Sequence, residues 1–176
     1  MSTSLDAARY FIAAADADEG ISHLKLQKLC AYAQGMSLAW LGRPLFNEEL
    51  EAWPHGPVEP ELYQRYKKFG PNPVEGGNMD VAHAREAFDD YHKLVLESVN
   101  EYYGRFSAWH LRELSHIDFP AKFGSGLVIC KEAMQRAFEN NVLVKKLNEA
   151  AALPKRPAEK YYSHQEIMRV LDSYLQ

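Results

Sequence analysis

Apolar side chains recur along this chain with the period of helices, and the clearest period lies near the start. Ser22 can cap a helix that Gly42 ends, because glycine suits the left-handed residue that follows a helix. An earlier helix is predicted to begin after Thr3, which has capping-box spacing with Asp6, and to end near Asp18. The positions that keep the helical period in these two helices are Ala8, Phe11, Ile12, Ala15, Leu26, Leu29, Cys30, Ala33, Ser37 and Trp40.

Turn-forming residues dominate the stretch that follows. A short extended piece within residues 45–53 is predicted to end where Pro-His-Gly-Pro, at residues 54–57, forces a turn. Pro60 suits the first position of a short helix that Gly70 ends. The apolar face of this helix carries Leu62, Tyr63, Tyr66 and Phe69. Two prolines and two glycines within residues 71–78 predict a loop.

Two more helices are predicted before the last third of the chain. A long helix begins after the loop and ends at Gly104, and Ser107 caps a shorter helix that residues 115–120 break. The residues available for burial on these helices are Phe88, Tyr91, Val95, Val99, Tyr102, Trp109, Leu111 and Leu114. Residues 127–129 are a candidate second short strand.

The remaining third is also predicted to be helical. Residues 131–152 form a helix that Asn140 and Asn141 can divide in two. Its inward positions are Met134, Ala137, Phe138, Val144 and Leu147. Ser163 and Glu166 make a capping box for a last helix, after two prolines that stop the preceding one.

These elements predict a mainly α fold: a single compact helical domain of about six to eight helices with at most a minor short β-strand pair. The 176 residues are enough for one sizeable core, so residues 1–176 are assigned to one domain. With 47% apolar and 25% charged residues, the composition is that of an ordinary globular protein.

Charge and hydropathy narrow the class of partner. The net charge is −4 and the basic residues are scattered, so a phosphate backbone is not expected as a ligand. No long apolar run is present, and five charged residues within the first 20 positions argue against a signal peptide or a membrane span: Asp6, Arg9, Asp16, Asp18 and Glu19. The chain is therefore predicted to be soluble and cytoplasmic, without nucleic acid or membrane partners.

The titratable residues do not predict a metal, a cofactor or an active site. Cys30 and Cys130 are far apart and are predicted to be buried small hydrophobes. None of the seven histidines forms a pair four residues apart on one helix. An enzyme would need His110, His116 and Asp118 to converge in a pocket, and we predict instead that the chain is not an enzyme.

A family resemblance appears between residues 22 and 69. The stretch HLKLQKLCAYAQG at residues 23–35, then PLF at 44–46, EAWPHGPV at 51–58 and PELY at 60–63, resembles the SocA-like, or Panacea-type, antitoxin domain, which includes phage-associated proteins. LSH at residues 114–116 and FP at 119–120 resemble the second, shorter motif of the family. The resemblance thins towards residue 130, which leaves residues 131–176 as a C-terminal helical extension. Ala121 departs from the family, which usually has tryptophan there.

The resemblance implies an antitoxin of a bacterial or phage toxin–antitoxin pair. Such a protein neutralises a cognate protein toxin by direct contact, or acts as an adaptor that delivers the toxin to an ATP-dependent protease. Two alternatives remain: a helical interaction protein of a prophage or mobile element without a toxin partner, and a small hydrolase. The sequence leaves the toxin's identity and the oligomeric state open.

Candidate partner contacts cluster in the Pro-Gly loop. Two prolines and a glycine make a rigid loop that has little entropy left to lose on binding. The alternative is that the tryptophan is buried and the loop only shapes a turn. The predicted contact residues are Trp53, Pro54, His55, Gly56, Pro57, Tyr63, Lys25 and Lys28, the two lysines meeting either an acidic partner or solvent. Gln27 and Gln34 share a face and are predicted to tie their helix to this loop.

Overall fold

The computed structural model describes residues 2–75 and 80–152 as helices joined by short loops, with one small hairpin. The elements are α1 (Ser4–Ala13), α2 (His23–Leu41), β1 (Glu51–Trp53), β2 (Gly56–Val58), α3 (Pro60–Tyr66), a 3₁₀ turn (Lys67–Phe69), α4 (Val81–Arg85), α5 (Asp90–Tyr103), α6 (Ala108–Asp118), α7 (Lys131–Phe138) and α8 (Val142–Ala152). The mainly α fold class and the number of helices predicted from the sequence are confirmed for these residues.

Helix α2 lies at the centre of the fold. It packs against α1, α3, α5, α6, α7, α8 and β2. Residues 26–38 are all buried, so α2 is covered on every side, whereas an amphipathic surface helix would bury one face. At its middle, Tyr32 stacks on Tyr103 with ring centroids 4.0 Å apart and meets Phe119 and Phe138 edge-on. The helix that carries the motif at residues 23–35 therefore forms the centre of the core.

The caps of the first two helices are those predicted. Thr3 and Asp6 form a reciprocal capping box, Ser22 accepts from the backbone N–H of Lys25, and Gly42 adopts φ 66°. Helix α1 ends at Ala13, earlier than the predicted end near Asp18. The reason is local: the Asp16 carboxylate accepts the N–H groups of residues 18 and 19, and this turn replaces the helix.

The hairpin follows the prediction of a short extended piece and a turn. Antiparallel β1 and β2 pair Glu51 with Val58 and Trp53 with Gly56, leaving residues 54 and 55 as a two-residue tip. The predicted strand at residues 127–129 is reduced to an isolated bridge between Glu51 and Val128, flanked by backbone hydrogen bonds to residues 50 and 52. The hairpin is thus anchored along its outer side by the loop that precedes α7.

The predicted long helix before Gly104 is wrong in one respect, because it is two helices. Helix α4 ends at Arg85 and α5 begins after Asp89, whose carboxylate accepts the N–H groups of Tyr91 and His92. Asp89 is thus an N-cap rather than a helix-interior residue, and the chain turns there. Tyr91, expected to be inward, is 48% exposed.

The last described helices divide where the two asparagines stand. Asn141 accepts the N–H of Leu143 and donates to the Tyr103 hydroxyl, which starts α8 and separates it from α7. Ala137 is exposed rather than inward, whereas Met134 and Phe138 are buried as predicted. Cys130 is exposed, which contradicts its predicted burial, and Cys30 is buried. The predicted helix after Ser163 lies outside the described residues.

Hydropathy of the helices bears on the membrane question. Among residues 2–75 and 80–152, none of the helices combines the length and the apolar character that crossing a bilayer requires.

Candidate partner-binding surface

Helix α2 holds the hairpin through polar side chains that are buried in the core. The Gln27 side chain accepts from the Glu59 N–H at 2.9 Å and donates to the Glu59 carbonyl at 3.2 Å. The Glu59 carboxylate in turn caps α3 and accepts the Ser4 hydroxyl at 2.9 Å. Gln34 bonds the backbone of residues 45 and 46 in the same way. Gln27 thus ties α2 to the end of the hairpin, while Gln34 fixes the segment before it.

Lys28 is the largest departure from the sequence prediction. Its side chain is fully buried, and Nζ donates to the Pro57 carbonyl at 2.9 Å, so the predicted solvated face at this position is wrong. Burial, together with the positive charge of Arg112, lowers the pKa of Lys28 to about 7. Among residues 2–75 and 80–152, no carboxylate forms an ion pair with Lys28, and its amine lies directly beneath the hairpin.

The buried amine of Lys28 predicts an unusual pH dependence of stability. Between pH 7 and the ordinary lysine pKa of 10.5, the unfolded chain holds a proton that the folded chain does not. The free energy of unfolding should therefore rise with pH across this window, by up to about 1.4 kcal/mol per unit. Urea unfolding of wild type and Lys28→Met from pH 6.5 to 10 measures the effect, which is expected in wild type and absent in the variant.

The control for this experiment lies one turn away on the same helix. Lys25→Met replaces a lysine that is only partly buried, so it reports the effect of losing a lysine outside the core. A wild-type curve that runs parallel to that of Lys28→Met would contradict the assignment.

Two residues at the hairpin turn are exposed and the next two are buried. Pro54 and His55 are exposed, while Gly56 and Pro57 are buried against α2 and α6. Gly56 has φ +100°, and a Cβ there would lie 2.5 Å from Ser115 Oγ and 2.9 Å from Lys28 Nζ. Of the predicted contact residues, Gly56, Pro57 and Lys28 therefore cannot offer a side chain to a partner: their role is to hold the tip.

An aromatic row covers the α3 side of the hairpin. The Trp53 ring lies 4.7 Å from the Tyr63 ring, which lies 5.1 Å from the His23 ring. Trp53 Nε1 donates to the Glu51 carboxylate at 2.7 Å. Trp53 and Tyr63 are half-buried, so each ring packs in part and is exposed in part, and partner contact by Trp53 stays a prediction. Lys25 is partly exposed.

Helix α6 covers the other side of the hairpin and supplies contacts that the sequence prediction missed. Trp109, expected to be buried, is 62% exposed, and its ring meets the His55 ring edge-on at 5.9 Å. Arg112 donates to His55 Nδ1 at 3.2 Å and to the Pro54 carbonyl at 3.5 Å. His116 Nε2 also lies 3.2 Å from the Pro54 carbonyl. The second motif, at residues 114–120, was the signal that pointed to this helix.

These contacts make one continuous surface around the hairpin tip. We call it the hairpin–α6 surface and define it by Trp53, Pro54, His55, Tyr63, Trp109 and Arg112. Tryptophan, tyrosine and arginine are the residues that dominate binding energy at protein interfaces. Its backbone frame is fixed by hydrogen bonds to α2 and α6, so little ordering is left to be paid on binding.

The three residues of the enzyme hypothesis have separate surroundings. Asp118 accepts the Tyr32 hydroxyl at 2.7 Å, and burial raises the pKa of its carboxyl. The His110 ring packs on Phe106, and His116 Nδ1 lies 2.8 Å from the Arg112 carbonyl within α6. Each group is thus occupied in packing or hydrogen bonding at a different place.

Metal-ligating side chains are scattered in the same part of the chain. Residues 2–75 and 80–152 contain no group of three or more His, Cys, Asp or Glu side chains placed to hold a metal ion.

Comparisons with known proteins agree with the resemblance in the motif. The family model described as antitoxin SocA-like, Panacea domain, matches residues 26–118, which include most of α2, the hairpin and α6. Antitoxin SocA of Caulobacter vibrioides (strain NA1000 / CB15N) is 34% identical over 145 residues, covering 71% of this chain and 76% of that protein. No solved structure matches this chain.

Proposed function

Because this chain belongs to the SocA-like antitoxin family, whose defining unit is the Panacea domain, we propose that it neutralises a cognate protein toxin by direct contact at the hairpin–α6 surface. The family supports an antitoxin role, and an antitoxin implies a toxin as partner. The observation that carries the choice of surface is Trp109, a tryptophan left 62% exposed beside a rigid hairpin tip.

Trp109 leaves a large apolar ring in contact with water. Covering such a ring with a partner stabilises the complex by about 25 cal/mol per Å² of apolar area that is removed from water. Trp109 lies within the range that the family model matches, next to His55 and Arg112, so an anchor and polar contacts stand together. A preformed site of this composition suits a protein partner better than a small molecule.

Co-expression with the product of the neighbouring gene tests the proposal. That product alone should arrest growth of a bacterial host, and this chain should restore growth. Trp109→Ala should weaken the complex by about 2 kcal/mol, the usual loss at an interface hot spot, and abolish the rescue. Tyr91→Ala, which removes another exposed ring on α5, is the matched control and should rescue like wild type.

The half-life of the toxin in the same cells distinguishes neutralisation by contact from delivery to a protease. After translation is stopped, an unchanged half-life of the toxin together with restored growth supports neutralisation by binding. A half-life that this chain shortens supports delivery to an ATP-dependent protease. A neighbouring product that is harmless alone, yet binds this chain, supports the alternative of an interaction protein without a toxin.

A further inference from the structure

The interior of the hairpin–α6 surface contains two basic side chains that donate to backbone carbonyls and to a histidine ring. Lys28 Nζ reaches the Pro57 carbonyl from below, and Arg112 reaches the Pro54 carbonyl and His55 from α6. The hairpin is therefore clamped between two basic side chains without consuming a buried carboxylate.

A second basic side chain, Arg112, influences Lys28 from α6. Burial and the charge of Arg112 both lower the pKa of Lys28, and burial and the charge of Lys28 both lower the pKa of His23. The carboxylate that pairs with Arg112 belongs to its chain neighbour Glu113, which is 66% exposed. An exposed ion pair of this kind is worth little, about 0–1 kcal/mol, and is easily replaced. The carboxylate paired with Arg112 thus lies in solvent, while the guanidinium side chain is mostly buried.

The exposed Trp109 ring lies beside the Arg112 guanidinium. The Arg112 guanidinium carbon is 5.9 Å from the centre of the Trp109 ring, and only about a quarter of the Arg112 side chain is exposed. A partner that covers the ring also removes the guanidinium from water. Desolvation of that kind strengthens a charge-assisted hydrogen bond to a carboxylate.

We propose that Arg112 is a specificity-determining contact that takes a carboxylate from an acidic segment of the toxin, with Trp109 as the apolar anchor beside it. The partner's carboxylate replaces Glu113 on the guanidinium, and the neighbouring apolar side chain of the partner covers the indole ring. The inference rests on the proposed function, since it names the chemistry of the toxin segment that binds this surface.

Binding measured at two salt concentrations tests the inference, with the purified product of the neighbouring gene as the probe. Wild-type affinity should fall as the salt concentration is raised from 50 to 300 mM, because a charge pair forms on association and salt screens it. Arg112→Gln should bind about 30-fold more weakly at low salt and lose most of the salt dependence. Glu113→Gln should bind about two- to fivefold more tightly, because the internal competitor is gone.

A matched control separates a local contact from net charge. Arg105→Gln removes an exposed arginine that packs on Tyr102 and Phe106, with the same change in net charge, and it should leave affinity and salt dependence unchanged. Because Arg112 also supports the tip, each variant is compared with wild type in a thermal unfolding scan. Arg112→Lys keeps a charge and should retain the salt dependence at lower affinity.

The outcomes distinguish this inference from the proposed function. If Arg112→Gln binds with the salt dependence of wild type, or if Arg105→Gln loses as much affinity, Arg112 does not take a partner carboxylate, although the antitoxin role stands. If wild type fails to bind the product whose toxicity it should suppress, the proposed function fails first and the inference with it.

Discussion

Replacing Phe138 by alanine should lower the free energy of unfolding by about 4 kcal/mol, within the range for deleting a buried aromatic side chain. The ring is 1% exposed and lies 4.9 Å from the Phe119 ring and 5.9 Å from the Tyr32 ring. It also sits directly on Gly35 of α2, where an added Cβ would come within 2.8 Å of the ring. Because rigid backbone forms one wall, the cavity has little room to collapse. Denaturant unfolding at constant m-value measures the loss.

The control for Phe138 lies four residues along, on the next helix. Val142→Ala truncates a side chain that is 45% exposed and should change the unfolding free energy by less than about 0.5 kcal/mol. If Phe138→Ala costs no more than this control, α7 is an appendage. A large loss with a single cooperative transition supports our proposal that the chain is one domain, although α7 lies beyond the range of the family model.

The contact between Gly35 and Phe138 illustrates what local sequence signals can and cannot predict. The bounds of α2 followed from Ser22 and Gly42, because caps act over three or four residues that are adjacent in the chain. That Gly35 stands where α7 crosses depends on residues about one hundred positions apart. Periodicity indicates that Phe138 faces inward, but it does not say which element it meets.

Polar residues in the core were the hardest to predict. Lys28 follows the same spacing rules as Lys25, and a hydropathy pattern assigns both to solvent. The structure buries Lys28, and its amine donates to the Pro57 carbonyl, so the buried polar group is paired. Such pairings arise only when the tertiary fold brings the two segments together.

Of the two elements that form the hairpin–α6 surface, the sequence predicted the turn of the hairpin but not the exposed ring on α6. The Pro-Gly loop signalled the hairpin, since proline and glycine restrict the backbone whatever surrounds them. Trp109 was assigned to the core because aromatic residues on a helix are usually buried. On α6 the buried positions are Leu111 and Ser115, so the helix presents its tryptophan beside the hairpin tip. Exposure of a single ring is a property of the assembled fold, which local pattern does not encode.

Gly56→Ala should remove both stability and toxin neutralisation. Alanine at φ +100° carries about 1–3 kcal/mol of backbone strain, and its Cβ would stand 2.5 Å from Ser115 Oγ and 2.9 Å from Lys28 Nζ. Both neighbours are buried, so relief requires breaking the Lys28 bond to Pro57 or moving the hairpin off α6. We expect a loss of about 3 kcal/mol in unfolding free energy, measured by urea denaturation, and failure of the growth rescue.

Two further variants divide this loss into its causes. Gly42→Ala places alanine at φ +66° with nothing within 4 Å of its Cβ, so it carries backbone strain alone and should cost about 1 kcal/mol. Gly56→Ala with Ser115→Ala removes the nearest clash and should regain about 1 kcal/mol over Gly56→Ala. Equal losses at Gly56 and Gly42 would mean that the tip is not pressed against Lys28 and Ser115. Since Trp53 and His55 take their positions from that contact, the frame of the proposed binding surface would then have to be revised.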